Sequence, residues 1–481
     1  MAQTASQRSP RRSPARAAGE RLTYSERMAR GKSLRREVPR SRHADYEPTA
    51  NRPDPVDVLE GQATTRVPDL VPVRYGRMLA SPFTFYRGAA KIMAADLAST
   101  PVTGLRVQCC GDAHLSNFGV FGSPERRLVF DINDFDETLP GPWECDVKRL
   151  AASMLIAARD NGFPADDQDA IVLDTVGAYR DAMRGFAPMG TLEVWYARLD
   201  IENVLAEYGS QFKPRMVKRT RKSLSKARTR DSMSALSKLT HQVNGRIEIV
   251  DQSPLIVPLR ELAAGERRDI SSELKDLLKS YARTLEHDRR VLMDQFELVD
   301  FARKVVGVGS VGTRAWIALL FGRDREDPLF LQAKEAEASV LEELAGKSKF
   351  ANQGERVVTG QRLMQASSDI FLGWVHVKAG MDGLPRDFYL RQLKDWKGSA
   401  EIEQMVPTGM AVYGRLCGWT LARAHARSGD RVAIAAYLGG GTSFDRAILE
   451  FSKAYADQNE RDYQRLVDAV DSGRIKAQVG V

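Results

Sequence analysis

An aspartate and an asparagine lie five positions apart in one short loop of this 481-residue chain, and another aspartate follows soon after. Asp112 and Asn117 belong to the segment Cys110-Gly-Asp-Ala-His-Leu-Ser-Asn-Phe-Gly119. Residues 118–132 have the pattern of two strands joined by a turn rich in Gly, Ser and Pro. Directly opposed residues of paired strands have Cβ atoms ~4.5–5.5 Å apart, so we expect this hairpin to return Asp134 to a place opposite Asn117.

Three oxygen-bearing side chains at one end of a hairpin suit chemistry on phosphate. Asn117 and Asp134 offer the oxygen ligands that Mg²⁺ prefers, and this ion keeps room for phosphate oxygens. Asp112 beside them suits a base, or an orienting acceptor, for a hydroxyl nucleophile. The group therefore predicts a phosphoryl-transfer site. The plainer alternative is a hairpin whose polar residues only satisfy backbone amides.

Two neighbours extend this prediction. His114 lies in the same loop, where it either assists the phosphate as a catalytic residue or hydrogen-bonds the loop. Asp136 follows Asp134 in the sequence Asp-Phe-Asp, and we expect it at a second metal ion.

A second group of residues lies far along the chain, in Gly307-Val-Gly-Ser-Val-Gly312. A dinucleotide-binding fingerprint of this spacing needs a helix straight after it, whereas residues 315–320 have the pattern of a strand. The segment instead predicts a Gly-rich turn between two strands, in which Gly307, Gly309, Ser310 and Gly312 cover phosphates.

The next predicted strand, residues 329–334, ends in a lysine that would neutralise those phosphates. Because apolar residues precede Lys334, it would leave a largely buried strand and need an acidic partner. Glu355, Glu342 or Glu343 on the next helices could supply it, and Glu355 is counted among the residues of the nucleotide site. An ordinary strand meander with a surface lysine is the competing interpretation.

The chain order of the two groups is unusual, because the Gly-rich turn and the lysine follow the catalytic aspartate. If both groups form one site, the chain is circularly permuted relative to ordinary kinases. Chain termini lie on surfaces and are often close together, so such a permutation is physically tolerable.

The elements that must position these residues suggest an α+β protein of two lobes. We expect a disordered basic leader over residues 1–45, a large helical lobe over 46–299 with a catalytic hairpin at 105–137, a small β-rich nucleotide-binding lobe over 300–395, and C-terminal helices over 396–481 that complete the large lobe. Finer expectations are helices at 83–97, 144–158, 273–300, 335–344 and 355–366, a break at 139–142, and a strand pair within 245–259.

Composition narrows the function classes. Residues 1–43 hold twelve Lys or Arg and three Glu, so they account for the net charge of +8 and leave the rest of the chain close to neutral. Four cysteines do not make a disulfide framework, and no apolar run is long enough to span a membrane. We expect a cytoplasmic protein. Residues 213–230 carry nine basic residues and no acidic one, which leaves nucleic-acid binding open as an alternative of another class.

Gly111-Asp112-x-His114-x-x-Asn117 and Asp134-Phe135-Asp136 resemble the catalytic loop and metal-binding segment of the aminoglycoside phosphotransferase and choline kinase branch of the protein-kinase-like superfamily. The resemblance implies a kinase-like fold, ATP and Mg²⁺ as cofactors, Asp112 as base and Asn117 on magnesium. Asp146 resembles the acid that braces the catalytic loop in that branch. Arg314 departs from the pattern, because kinases usually carry there an apolar residue that packs on adenine.

From about residue 31 onward the chain is also identified as a member of the bacterial domain-of-unknown-function 2252 family, through stretches such as Phe85-Tyr-Arg-Gly-Ala-Ala90 and His425-Ala-Arg-Ser-Gly-Asp430. The sequence thus predicts an ATP- and Mg²⁺-dependent phosphotransferase whose partners are a nucleotide and an unidentified hydroxyl-bearing acceptor. Transfer of AMP by the same cleft, or silent nucleotide binding, remain the alternatives.

Overall fold

The structure is a computed structural model that describes residues 22–208, 214–262, 270–393 and 395–480. Helices and strands are mixed along the chain, which is therefore an α+β protein, as its sequence predicts. In chain order the helices are α1 (Tyr24–Glu37), α2 (Pro55–Ala63), α3 (Val71–Met78), α4 (Pro82–Gly88), α5 (Ala90–Leu97), α6 (Trp143–Asp160), α7 (Ala165–Phe186), α8 (Thr191–Tyr196), α9 (Ile201–Tyr208), α10 (Pro214–Arg228), α11 (Ser232–Leu239), α12 (Leu259–Leu262), α13 (Ile270–Ala282), α14 (His287–Met293), α15 (Glu342–Ala345), α16 (Gln353–Met364), α17 (Pro407–Ser428), α18 (Arg431–Leu438) and α19 (Ser443–Asp471).

The strands are β1 (Arg106–Cys109), β2 (Phe118–Gly122), β3 (Leu128–Ile132), β4 (Leu139–Pro142), β5 (Leu199–Asp200), β6 (Thr240–Val243), β7 (Arg246–Ile249), β8 (Ile256–Pro258), β9 (Glu297–Lys304), β10 (Ala315–Phe321), β11 (Pro328–Ala336), β12 (Gly373–Val377) and β13 (Arg386–Gln392).

A six-stranded antiparallel sheet in the order β12-β13-β11-β10-β9-β8 holds the Gly-rich turn and the lysine. β11 lies in its interior and is buried along its whole length. The apolar run at 329–331 suits a strand that is covered on both faces. In the register, Lys334 lies between Ala315 of β10 and Tyr389 of β13.

Both faces of this sheet are covered by segments that precede residue 300. Tyr281 of α13 packs with Leu331 and Phe388 on one face. Leu239 of α11 packs with Ile317 and Phe330 on the other. We call residues 232–392 the sheet unit. Its extent corrects the expected small lobe at 300–395, because that span alone would leave both faces of the sheet uncovered.

The predicted hairpin at 105–137 belongs to a separate, larger core built from helices α6, α7, α17 and α19. Strands β2 and β3 pair with Phe118 opposite Ile132, so the predicted hairpin is confirmed. Helix α6 follows directly after it, with 16 of its 18 residues buried. The indole of Trp143 at the start of α6 stacks on Tyr179 of α7 at 5.8 Å between ring centroids.

Several local expectations were wrong. The predicted break at 139–142 is β4, which pairs with β1, and the predicted helix at 335–344 begins as the last two residues of β11. The predicted helix at 273–300 ends in strand β9, and the predicted one at 83–97 is the two helices α4 and α5. Within 245–259, strand β7 pairs with β6 and β8 pairs with β9, because the larger sheet offers β8 a partner.

The expectation of a disordered basic leader over residues 1–45 is wrong for the part of it that the structure describes. Residues 1–21 of the predicted leader lie outside the described residues. Thr23 and Glu26 form a capping box that starts α1, and this helix packs on α18. Residues 24–45 are therefore part of the folded protein. None of the helices in the described residues combines the length and the apolarity needed to cross a membrane.

Candidate functional site

The loop after β1 is held by a carboxylate from helix α6. Asp146 accepts hydrogen bonds from the backbone N–H groups of Cys110 and Gly111, at 2.8 and 3.0 Å. His425 of α17 contacts the same carboxylate through Nε2 at 3.1 Å, and the hydroxyl of Tyr179 contacts Nδ1 at 2.9 Å. This arrangement fixes the backbone just before Asp112, and it gives Asp146 the bracing role that the sequence resemblance implied.

Asp112 lies in an ion pair with a second residue of the same helix. Arg149, three positions after Asp146 and on the same face of α6, donates from Nε to Oδ1 of Asp112 at 2.8 Å. The guanidinium is buried, whereas about a fifth (21%) of the Asp112 side chain is exposed to the cavity. Arg149 was not identified from the sequence, although its spacing from Asp146 was a usable signal.

His114 lies behind Asp112 and is almost completely buried. Its Nε2 is 3.7 Å from Oδ2 of Asp112. Burial lowers the pKa of His114 to about 4, so the imidazole is neutral near pH 7. A neutral imidazole at this distance is better suited to supporting the loop and the Asp112 carboxylate than to donating a proton.

Asn117 and Asp134 lie at the same end of the hairpin. The backbone N–H of Asn133 donates to the carbonyl of Asn117 at 2.7 Å, one residue beyond the β2–β3 register. Nδ2 of Asn117 donates to the backbone carbonyl of Asp112 at 2.7 Å, which orients the amide and ties the loop to the hairpin. The predicted convergence of Asp112, Asn117 and Asp134 is therefore present.

Lys334 of β11 reaches the same place from the sheet unit. Its Nζ donates to Oδ2 of Asp136 at 2.5 Å and lies 3.6 Å from Oδ1 of Asp134. The hydroxyl of Tyr389 on β13 donates to the other oxygen of Asp136 at 2.5 Å.

Lys334 pairs with none of the three glutamates that were considered as its partner, Glu342, Glu343 and Glu355. Among the described residues, the salt-bridge partners of Lys334 are Asp134 and Asp136. Glu355 lies in the first turn of α16, where its backbone N–H donates to the capping side chain of Asn352. All three glutamates follow the lysine in sequence, on the next helices. Here the partner comes from the hairpin, 198 positions earlier.

The two aspartates differ in their electrostatics. Burial alone would raise the pKa of Asp134, but the charges of Lys334 and Arg391 hold it at about 2. Burial and the neighbouring charge of Asp134 raise the pKa of Asp136, although Lys334 acts in the opposite direction. Asp134 therefore stays ionised with a third of its side chain exposed, while both oxygens of Asp136 accept hydrogen bonds from Lys334 and Tyr389.

The Gly-rich turn joins β9 to β10 and lies against the N-terminal helices. Gly307 and Gly312 adopt φ values of +72° and +91°, which favour glycine. The N–H of Val67 donates to the carbonyl of Gly312 at 2.8 Å, and Arg77 donates to the carbonyl of Gly307 at 2.6 Å. A Cβ on Gly309 would lie 2.9 Å from the carbonyl oxygen of Arg87, so this position needs the small residue.

One cavity of about 530 Å³ contains most of the predicted site. Its lining includes Asp112, His114, Asn117, Asp134, Asp136, Gly307, Gly309 and Ser310. Lys334 is connected to this site by its ion pairs with Asp134 and Asp136. Gly312 and Glu355 are outside the lining, the first because its turn faces Arg66.

Four cations on this lining were missed in the sequence, namely Arg66, Arg74, Arg87 and Lys91. They come from residues 61–91, between α2 and the start of α5. Nothing in their local pattern separates them from the many surface arginines of the chain, and only the tertiary contact with the Gly-rich turn brings them into the cavity.

The residues at the hairpin end fit a magnesium ion that is shared with phosphate. The described residues contain no group of three or more His, Cys, Asp or Glu that would hold a metal by themselves. Mg²⁺ is commonly held by one or two protein carboxylates together with phosphate oxygens and water. The ionised Asp134 and the amide oxygen of Asn117 match that donor set, whereas Asp136 is already engaged.

Comparison with known proteins identifies the family. Searches among curated proteins and among solved structures give no match. The model of one family, described as an uncharacterized protein conserved in bacteria (DUF2252), matches residues 66–469. This span includes the hairpin of β2 and β3, the sheet unit and most of the helical core. The chain therefore belongs to the bacterial DUF2252 family.

Proposed function

We propose that this protein is an ATP- and Mg²⁺-dependent phosphotransferase that acts on a hydroxyl group. The observation that carries the proposal is the contact of Lys334 with Asp134 and Asp136 in the cavity that also holds Asp112. Phosphoryl transfer depends mainly on positioning and on stabilising negative charge. This cavity offers a base and a metal-binding pair, and Lys334 lies directly behind its wall, in contact with Asp134 and Asp136.

The sheet unit supports a kinase-like interpretation through the order of its parts. The Gly-rich turn joins β9 to β10, the lysine lies on the adjacent strand β11, and helix α16 follows. Protein kinases place their Gly-rich loop, lysine and following helix in the same relation. On this interpretation the chain is circularly permuted, since the hairpin with Asp112 precedes the sheet unit.

Each residue then has a defined role. Asp112, held by Arg149, orients the acceptor hydroxyl and accepts its proton. Asn117 and Asp134 hold Mg²⁺, which when bound offsets the charge of the transferred phosphate. Lys334 is released from Asp136 toward a bound phosphate, and the backbone of Gly307 and Gly309 borders the space in which that phosphate lies.

Isothermal titration with ATP and Mg²⁺ tests this proposal. We expect Lys334→Met and Asp134→Ala to weaken binding by about tenfold or more, since each removes a charged contact to the nucleotide or its metal. Lys347→Ala, on the exposed surface of the sheet unit, is the control and should bind like the wild type. Unchanged affinity in both site variants would refute the assignment.

The acceptor and the transferred group are read from the products. A metabolite extract incubated with ATP labelled on the γ-phosphate should yield a labelled compound with the wild type and none with Asp112→Asn. In a parallel incubation with ATP labelled on the α-phosphate, a labelled compound would establish AMP transfer, because the γ-phosphate then leaves as part of pyrophosphate.

A further inference from the structure

We propose that Arg66, Arg74 and Arg87 form a phosphate-binding subsite in the cavity, separate from Lys334. This inference deepens the proposed function, because a phosphate held there would lie beside Asp112. The ligand chemistry is a phosphoryl group, carried either by the acceptor or by the nucleotide itself.

Arg66 and Arg74 are buried and Arg87 is partly buried, and all three retain unused hydrogen-bond donors. Arg74 is 0% exposed and Arg66 is 8% exposed. Four of their nitrogens, Nε of each arginine and Nη1 of Arg74, are buried without a hydrogen-bond partner in the described residues. Because buried donors are almost always paired in native proteins, this concentration on one cavity wall indicates a ligand.

The charges of these residues are also uncompensated. Among the described residues, none of the three arginines forms a salt bridge with a carboxylate, and each has its pKa lowered by burial. The hydrogen bonds of Arg74 go to the side-chain oxygen of Gln62 and the carbonyl of Gly88, both at 3.1 Å. A buried guanidinium without an anion is costly, and the planar fork of arginine matches phosphate oxygens.

The position of the subsite in the cavity connects it with the proposed phosphoryl transfer. Arg87 lies close enough to Asp112 for their charges to interact. Its backbone carbonyl lies under Gly309, and Arg66 donates to the carbonyl of Val311. The arginines therefore lie beside the Gly-rich turn and next to the proposed base, whereas Lys334 is held by Asp136.

Binding of pyrophosphate without metal, measured by calorimetry and thermal shift at constant ionic strength, tests the subsite. We expect the wild type to bind it and to be stabilised relative to matched NaCl. Arg87→Gln should weaken this binding about tenfold, and Arg87→Lys should retain part of it. Arg159→Gln makes the same charge change outside the cavity and should leave binding unchanged.

Arg87 is the preferred position, because its side chain makes no hydrogen bond within the described residues, so the variant should fold. Arg74→Met is a second variant for the same experiment. No binding to the wild type beyond matched NaCl, or equal binding to wild type and Arg87→Gln, would overturn the inference.

Two further arms identify the source of the phosphate. If it belongs to the nucleotide, Arg87→Gln also weakens binding of ATP with Mg²⁺, and pyrophosphate competes with a non-hydrolysable ATP analogue. If it belongs to the acceptor, nucleotide affinity is unchanged and pyrophosphate binds together with the analogue. Should Lys334→Met and Asp134→Ala leave ATP binding intact while Arg87→Gln loses pyrophosphate, the proposed function fails and the subsite stands.

Discussion

Lys334 and Asp136 connect two parts of the protein that are 198 positions apart. The ammonium is buried, and its closest carboxylate is the one that also accepts from Tyr389. In this arrangement Asp136 is the counterion of the lysine, while Asp134, at 3.6 Å, keeps its charge for a cation in the cavity. Two aspartates separated by one residue thus have different roles.

This division of roles predicts different effects of two similar variants. Asp136→Asn should lower the free energy of unfolding by about 3 kcal/mol, because it removes the closest counterion of a buried lysine. Asp134→Asn, which removes the more distant and more exposed carboxylate, should cost less stability but abolish the Mg²⁺-dependent part of ATP binding. Urea unfolding and calorimetry measure the two effects.

A double-mutant cycle checks that the loss at Asp136 comes from the ion pair. Lys334→Met combined with Asp136→Asn removes both charges, so the loss of stability should be smaller than the sum of the two single losses. Strictly additive losses would show that the two side chains do not stabilise each other.

The residues of the hairpin were predictable because their spacing is local. The register of a short hairpin places Asn133 opposite Asn117 and Asp134 one residue beyond it, close to the predicted position. Periodicity placed Asp146 at the start of a helix. The partners of Lys334 were not predictable in this way. The pair between Lys334 of β11 and Asp136 depends on how the sheet unit packs against the helical core. No local sequence pattern encodes that packing.

At the scale of elements, helix α6 supports the loop that carries Asp112. It presents Asp146 and Arg149 on one face, and its start is fixed by Glu144. The Glu144 carboxylate is fully buried and accepts from the backbone N–H of Thr103 at 2.7 Å and from its hydroxyl at 2.5 Å. Burial raises the pKa of Glu144 to about 7, although the hydrogen bonds from Thr103 oppose this.

This raised pKa predicts a pH dependence of stability. Between the unfolded value of about 4.5 and about 7, the folded protein binds more protons at Glu144 than the unfolded chain does. The stability contribution is therefore fully present below about pH 4.5 and decreases as pH rises through 7, by roughly 3 kcal/mol. Glu144→Gln should remove this component from the pH profile of urea unfolding.

The comparison for this experiment is Glu460→Gln on the exposed surface of α19, which should leave the profile unchanged. A Glu144→Gln profile that falls between pH 5 and 7 as steeply as that of the wild type would show that this carboxyl does not titrate as its burial implies.

The elements that were missed have identifiable physical causes. β4 contains two prolines, which predict a break, but it forms an isolated two-stranded ribbon with β1, where a missing N–H is tolerated. β11 continues through Glu335, whose charge predicts a surface position. There the carboxylate is paired with Arg314 and Arg386, so the strand stays buried. Arg314, expected near an adenine, is engaged by this network and by Asp382.

At the scale of the whole molecule, the N-terminal helices connect the Gly-rich turn to the C-terminal helices. Leu59 of α2 and Tyr75 of α3 pack with Leu466 of α19, while residues 66–77 hold the Gly-rich turn. The basic face of α10 is exposed at Lys222 and Lys226, and its binding to nucleic acid remains a prediction. The cavity is therefore bordered by three parts of the chain that are far apart in sequence.

Composition could not reveal that α1 belongs to this body. The segment is rich in arginine and poor in apolar residues, which is typical of disorder. Its contact with α18 depends on small residues instead. A Cβ on Gly31 would lie 2.1 Å from the carbonyl oxygen of Ala433 and 2.7 Å from Cβ of Ala436. Close approach of two helix backbones through Gly and Ala leaves little trace in hydrophobicity.

This contact gives a prediction about the integrity of the whole fold. Gly31→Ala should lower the free energy of unfolding by about 1–3 kcal/mol, because the backbone of α18 cannot move aside from the added methyl without disturbing its own packing. Gly185→Ala in α7 is the matched control. A Cβ there meets nothing within 4 Å, so helix propensity alone should stabilise that variant by about 0.5–1 kcal/mol. Urea unfolding should therefore show opposite signs for the two substitutions. Equal stabilisation would mean that α1 does not dock on α18 in solution. The folded protein would then begin only after residue 45.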